Sequence, residues 1–361
     1  MSQIFTRLTA VACIAAIASL YATRADAAPT TCTAAQGQLF IDQGRYDKAV
    51  REFSCVIDAQ PTEVDGYRGR IEAELMLQQF SNAVRDYARV TAFVQPVHPD
   101  AQTTILSGYG DRLSATPDSI PGLTGASFAY WWFFQYASAI HVTNHLLNLQ
   151  PGSVYGNLFR GSSRLLLGAT PSRGAADLDF AIAVAPQSAD VRFIVADAYT
   201  YGQPDPQRAL AEASLALAWG LDTPRVHAIL AGAYLAFGDL ASAASHIERH
   251  IELVTMELVP TSALAAGAAI AVDLVPGRTF EVPIPAMAGQ PLSISTSSPT
   301  HEISDSILVL LAPNGTPLVG SDDYIKYLAG FQWVAPETGR YLLRVTSFES
   351  VNTGQLLVTR Y

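Results

Sequence analysis

A small residue, an aromatic four positions later and a proline eight or nine beyond that occur twice in register: Ala49, Phe53 and Pro61, then Ala83, Tyr87 and Pro96. The two copies stand 34 residues apart. Looser copies follow at Ala139 with Pro151, Gly174 with Ala181 and Pro186, Ala209 with Ala216, and Ala243 after Gly238, at steps of 35, 35 and 34 from Ala139 onward. Two antiparallel helices approach closely only where small side chains meet large ones, and proline ends the second helix because its ring clashes with the preceding turn. A generic bundle would also be alanine-rich, but it would not hold a fixed period. The pattern predicts an α-solenoid over residues 28–257, with six helix pairs starting near residues 30, 64, 120, 155, 190 and 224. About 22 extra residues separate the second and third copies, an insertion near 97–119 in which Asp100 to Leu113 is expected to form one additional helix.

Residues 44–61 begin Gly-Arg-Tyr-Asp-Lys-Ala-Val-Arg-Glu-Phe and close on Pro61. With its turn glycine, paired aromatics around a small residue and terminal proline, this run resembles the second half of a tetratricopeptide repeat. The resemblance covers residues 30 to about 257 and implies a superhelix that binds protein.

Beyond Pro260 the helical period gives way to short apolar or alternating runs. These are Phe280-Glu281-Val282, Leu292 to Thr296, Ile307 to Leu311, Phe331 to Val334, Tyr341 to Thr346 and Leu356 to Thr359, separated by glycine, proline and asparagine turns. They predict a small antiparallel β-sandwich of six to eight strands over residues 268–361, joined to the solenoid by a linker at 258–267. Asp305-Ser306-Ile307, Pro313-Asn314-Gly315, Asp322-Asp323 and Pro336-Glu337-Thr338-Gly339-Arg340-Tyr341 together resemble the bacterial pre-peptidase C-terminal domain. That resemblance implies a jelly-roll-like accessory domain of exported proteins. No protease domain accompanies it here.

Arg7, the apolar run Leu8 to Ala22 and the small residues of Ala25-Asp26-Ala27 read as a signal peptide over residues 1–27. The run is shorter than the roughly 20 residues a spanning helix needs, and nothing later is long enough, so no stable membrane insertion is expected after cleavage. A periplasmic or secreted chain keeps Cys32 and Cys55, an even pair in an oxidising compartment. Cys32 lies 12 residues before Gly44 and Cys55 lies 11 after it, so an antiparallel hairpin brings them level and predicts a disulfide.

Composition removes one class of partner: 32 acidic residues against 22 basic leave a net charge of -10, with no general attraction to a phosphate backbone, so nucleic acid is excluded as an expected partner. The chain has no Gly-x-Ser-x-Gly elbow, no His-Glu-x-x-His and no phosphate-binding loop, so no enzyme activity is expected. His141 with His145 and His246 with His250 have a helical i,i+4 spacing, but each pair lacks the further ligands a zinc site requires. In the β domain Glu302, Asp305, Asp322 and Asp323 sit in turns. Asp305, Asp322 and Asp323 are candidate calcium ligands, as the domain resemblance implies, or they cap backbone amides as turn aspartates do. No other cofactor is expected.

The aromatic run Phe128 to Phe134 carries two adjacent tryptophans, which point about 100° apart on a helix. In the tetratricopeptide register Phe128, Trp131, Trp132, Phe159, Leu166 and Tyr201 fall on the inward positions of first helices from three consecutive repeats. Such a stripe is larger than a monomer usually exposes, which argues for a bound partner or for a segment of the chain itself; a tight superhelix would bury it as core. The basic residues that grip a C-terminal carboxylate in related chaperone-binding domains are missing. The expected function is therefore an exported, non-catalytic scaffold holding a peptide or protein in the solenoid groove. The alternative is an accessory subunit of an exported hydrolase or envelope machine, with the sandwich binding polymer or protein.

Overall fold

The computed structural model describes residues 32–61, 63–90, 99–168, 170–275, 277–299, 306–321, 329–347 and 354–361; residues 1–27, read as a signal peptide, lie outside them. Thirteen helices and nine strands follow one another among the described residues. The helices are α1 (Ala34–Asp42), α2 (Tyr46–Ala59), α3 (Val64–Met76), α4 (Phe80–Val90), α5 (Pro99–Ala115), α6 (Ile120–Trp132), α7 (Tyr136–Leu149), α8 (Val154–Leu166), α9 (Pro171–Val184), α10 (Ala189–Tyr201), α11 (Pro206–Ala218), α12 (Pro224–Phe237) and α13 (Leu240–Val254). Apart from α5 they form six antiparallel pairs.

Each pair opens on a side-chain cap. Thr33, Glu63, Ser119, Ser153, Ser188 and Thr223 each accept a hydrogen bond from a backbone N–H in the first turn of α1, α3, α6, α8, α10 and α12. These caps satisfy donors that a helix start otherwise leaves without partners. Within pairs, small residues set the approach. A Cβ on Gly161 of α8 would stand 2.8 Å from the carbonyl of Gly174 on α9, and one on Gly37 of α1 would stand 2.6 Å from the Phe53 ring of α2.

The stack is interrupted once. The inserted α5 packs on α6, where the second helix of a preceding pair would otherwise lie, while α4 turns onto α10 and α12. Arg112 of α5 donates to the Tyr46 hydroxyl of α2 at 2.8 Å and also contacts Met76 of α3. Ile57 and Tyr67 cluster with Val254, the last residue of α13. Through α4 the second pair therefore lies across the first helices of the four later pairs, while α2 and α3 reach the end of α13, and the superhelix closes on itself.

The strands are β1 (Glu257–Pro260), β2 (Ala269–Leu274), β3 (Arg278–Ala286), β4 (Pro291–Ser297), β5 (Ser306–Leu311), β6 (Pro317–Ser321), β7 (Gly330–Val334), β8 (Gly339–Ser347) and β9 (Gly354–Arg360). They form two sheets, ordered β1-β3-β8-β5-β6 and β2-β9-β4-β7. Within residues 268–361 every strand pairing is antiparallel, as expected; part of the stretch read as a linker forms β1, which adds to the first sheet parallel to β3. The cause is local: the chain leaves α13 directly alongside β3, where the amides of Met256 and Glu257 donate to the Gly277 carbonyl.

Strand β5 fixes the two domains together. All six of its residues are buried. A strand with both faces apolar must be covered on both sides. Leu308 and Leu310 enter the sandwich core, whereas Ile307, Val309 and Leu311 face Ala244, Ile247 and Ile251 of α13. On β6 a glycine makes room, since a Cβ on Gly320 would stand 2.8 Å from Ile247 Cδ1. Arg344 of β8 bridges Glu248 of α13 and Glu281 of β3.

Candidate interaction surfaces

The inner face of the solenoid is occupied by the chain itself. Tyr87 of α4 packs within ring-contact distance of Phe128 and Trp131 of α6 and Phe193 of α10, and Phe80 lies 5.6 Å from the Tyr155 ring of α8. The groove expectation is corrected accordingly. Phe128, Trp131, Trp132 and Phe159 are fully buried and present nothing to a partner, Leu166 is half-buried, and only Tyr201 is exposed. Both tryptophans are core because α6 is enclosed on all sides by α4, α5, α7 and α8. Trp131 also donates its indole N–H to Ser162 Oγ at 2.9 Å.

Charged groups line the buried side of this face. Arg225 of α12 donates from Nε to Asp197 of α10 at 3.1 Å and lies 4.1 Å above the Tyr201 ring. Burial pulls the guanidinium down, but Tyr201, Asp197 and Tyr87 outweigh it and hold Arg225 firmly charged. Burial pushes Tyr136 of α7 up to about 12, with the Asp197 charge adding to it. Nearer the N-terminus, burial and the Asp86 carboxylate push Glu74 of α3 up to about 8 against the pull of Arg70. Burial, then Asp42, raises Glu72 to about 7.

An arginine on the first helix meets an acid on the second in three pairs. Arg70 grips Asp86 at 2.6 and 2.7 Å, Arg160 and Arg164 share Asp177, and Arg192 meets Glu212. In the last pair histidines take these places: His227 and His246 face each other through Nδ1 atoms 2.8 Å apart, and Asp222 lies 2.9 Å from His227 Nε2. Burial and then His227 push His246 down to about 4, and burial does the same to His250. Among the described residues no group of three or more histidine, cysteine, aspartate or glutamate side chains could hold a metal ion. His145 instead meets Asp118 at 2.9 Å. The calcium candidates Asp305, Asp322 and Asp323 lie outside the described residues.

Cys32 and Cys55 form a disulfide joining the start of α1 to α2, with Cα atoms 5.9 Å apart. No helix among the described residues is long and apolar enough to cross a membrane.

The accessible apolar surface lies on an edge that the sequence reading passed over. First helices of successive pairs run side by side, so their C-terminal ends share one rim. Phe134, Leu167, Tyr201 and Phe237 stand there, one per pair, all exposed. Phe134 has a left-handed backbone that, among these turns, Gln78 alone shares with it as a non-glycine residue. It has φ 58°, and the matching turns carry Gly44, Gln78, Gly168 and Gly238 in the same left-handed region. Its ring is 52 % exposed and meets only the edge of Tyr136 among described rings, at 6.2 Å. A glycine missing from its turn position was the sequence signal that could have drawn attention to it.

No protein-family model and no curated protein sequence matches the chain. Among solved structures it resembles TTC0263, a tetratricopeptide protein of Thermus thermophilus, at 20 % identity and a TM-score of 0.34, over 55 % of this chain and 96 % of that one. It resembles MamA at 17 % identity and a TM-score of 0.35, over 42 % of this chain and 88 % of that one. The pre-peptidase C-terminal domain of a Bacillus anthracis collagenase is similar at 13 % identity and a TM-score of 0.24, over 29 % of this chain and 95 % of that one.

Proposed function

We propose that the protein is an exported, non-catalytic scaffold that holds a protein or peptide partner on its solenoid, in the periplasm or outside the cell. The observation that carries this reading is Phe134, a bulky exposed ring held at φ 58° where three other repeats use glycine. A left-handed conformation costs such a residue about 1–2 kcal/mol. Strain of this kind concentrates where a side chain is used. Leu167, Tyr201 and Phe237 extend the same edge into an apolar row, which suits a partner lying along the rim. The signal-like segment over residues 1–27 and the Cys32–Cys55 disulfide support export.

A second reading, an accessory subunit whose sandwich binds a polymer, is favoured by the outer face of the sheet β2-β9-β4-β7. There Ser293, Ser295, Gln332, Gln355 and Thr359 form a polar surface with Asp273 beside Gln355, while α13 covers the other sheet. Envelope extract passed over immobilised wild-type chain and over the Phe134→Gly and Phe237→Ser chains separates the two. Loss of the captured protein with both rim variants is the result expected of a scaffold. Undiminished capture by both would overturn the rim reading and leave the sandwich.

A further inference from the structure

We propose that the cleft where the end of β3 meets the start of β8 binds a carboxylate carried on an apolar body, and that the buried guanidinium of Arg360 is its counter-charge. The site is separate from the solenoid rim and from the outer face of the sheet β2-β9-β4-β7, and stands or falls without them. Arg360, the last residue of β9, is 2 % exposed. Its Nη1 reaches across to the carbonyls of Leu264 and Pro285 at 3.0 and 2.9 Å. Among the described residues its Nε has no hydrogen-bond partner, and burial lowers its pKa with no acid to offset the effect. Elsewhere in the chain such arginines are paired: Arg70 with Asp86, Arg160 with Asp177, Arg192 with Glu212 and Arg225 with Asp197. A buried charge without a counter-ion is costly, so a guanidinium kept there points to an anion from outside the chain.

The cleft supplies the place for it. Its volume is about 640 Å³, and it is lined by Pro285, whose carbonyl Arg360 holds, and by Ala263, the neighbour of Leu264. The guanidinium therefore stands behind one wall. A second arginine, the exposed Arg340, lines the cleft itself, and no acidic side chain does. The polar lining is also turned toward donation. Gln290 Oε1 accepts from the Met287 amide and Thr338 Oγ1 from the Ala288 amide, which leaves the Gln290 amide hydrogens and the Thr338 hydroxyl hydrogen as donors. Ala286 and Met287 add apolar surface. Cations and donors at one end of an apolar cleft match a carboxylate head with a hydrocarbon body, and charge-assisted hydrogen bonds of this kind are the strong ones.

The probe is sodium octanoate, titrated into the full chain and followed through the backbone amide resonances, with octanol as the uncharged comparison. Octanoate is expected to saturate at millimolar concentration, to move the amides of Met287, Thr338 and Gly339, and to bind at least ~10-fold tighter than octanol, as one charge-assisted hydrogen bond would provide. Arg340→Glu, at an exposed position, should weaken octanoate by at least ~10-fold and leave the octanol titration unchanged. Arg360→Met should weaken octanoate as well. A folded Arg360→Met chain that binds octanoate like wild type overturns the proposal, and if that variant does not fold the Arg340→Glu result decides. A second arm titrates an acetylated tripeptide ending in phenylalanine, as the free acid and as its amide. Binding of the free acid but not the amide assigns the site to polypeptide C-termini, whereas binding of octanoate alone assigns it to a free amphiphile. Equal binding of octanoate and octanol, octanoate binding unaltered by Arg340→Glu, or shifts confined to Phe134, Leu167 and Phe237 on the rim overturns the proposal.

Discussion

The ring of Tyr87 packs against the indole of Trp131 with centroids 4.8 Å apart and planes inclined at 64°, joining the second helix pair to the first helix of the third. Through this contact the aromatic stripe that would have lined an open groove becomes the centre of a core. Trp131 also meets Phe128 and Phe159, and Trp132 stacks on Phe133. An open groove predicts that removing both indoles leaves the fold nearly intact. The observed packing predicts the reverse. A buried tryptophan cut to alanine costs about 3–5 kcal/mol, and a domain holds only about 5–15. Trp131→Ala should lower the solenoid's unfolding free energy by about 4 kcal/mol. The double variant Trp131→Ala, Trp132→Ala should show no cooperative melting by circular dichroism. A double variant melting near wild type contradicts the packing described.

Titration should act in opposite directions at the two ends of the solenoid. Glu72 and Glu74 bind protons more tightly folded, at about 7 and about 8, than at their ordinary value of 4.5. Unfolded chain releases those protons first, so their contribution is fully present below about 4.5 and is lost as pH rises toward 8. His246 and His250 are depressed from 6.5 to about 4, so theirs is present above 6.5 and lost as pH falls toward 4. Hydrogen exchange should therefore quicken in α3 and α4, relative to intrinsic rates, between pH 5 and 8, and in α12 and α13 between pH 6.5 and 4. Glu74→Gln should flatten the first trend and leave the second. A profile unchanged by that substitution assigns the first trend elsewhere.

How far the sequence carried these conclusions depends on what each pattern measures. The step from Ala49 to Ala83 reports how two helices pack within a pair, which is why Gly161 and Gly174 meet at a crossing where a side chain would collide. It says nothing about where a finished pair docks. The departure of α4 from the stack left a single trace, the insertion that became α5. Ser119, Ser153, Ser188 and Thr223 recur with the repeat and could have fixed the helix starts directly. Strands β1, β2 and β6 escaped notice for different reasons. The first owes its pairing to the exit of α13, the second carries alanines and an aspartate that are poor strand formers, and the third carries Pro317 and Gly320, which weaken a strand signal although the glycine is needed against Ile247.

Phe134→Gly offers a separation of stability from binding. Glycine reaches φ 58° without steric cost, so the substitution removes about 1–2 kcal/mol of backbone strain, offset in part by the greater freedom of the unfolded glycine. The lost ring contact with Tyr136 is peripheral. The expected result is a melting temperature raised by about 2–4 °C. A ring retained only for packing would give a lower melting temperature instead.

The apolar seam between α13 and the sandwich should make the two domains melt together. Ile247 is the residue to change, because it meets Gly320 of β6 from above and belongs to the cluster that buries Ile307, Val309 and Leu311. Ile247→Ala leaves a gap that Gly320 cannot fill, at a cost of about 2–4 kcal/mol. The Arg344 bridge to Glu248 lies beside that seam, and it is left with less apolar cover against water. Calorimetry of the wild-type chain should show one transition for solenoid and sandwich, and the Ile247→Ala chain should show two, with the sandwich retaining its own core around Val282, Leu308 and Tyr341. Two transitions already present in wild type would mean that the seam holds the domains in place without coupling their stability.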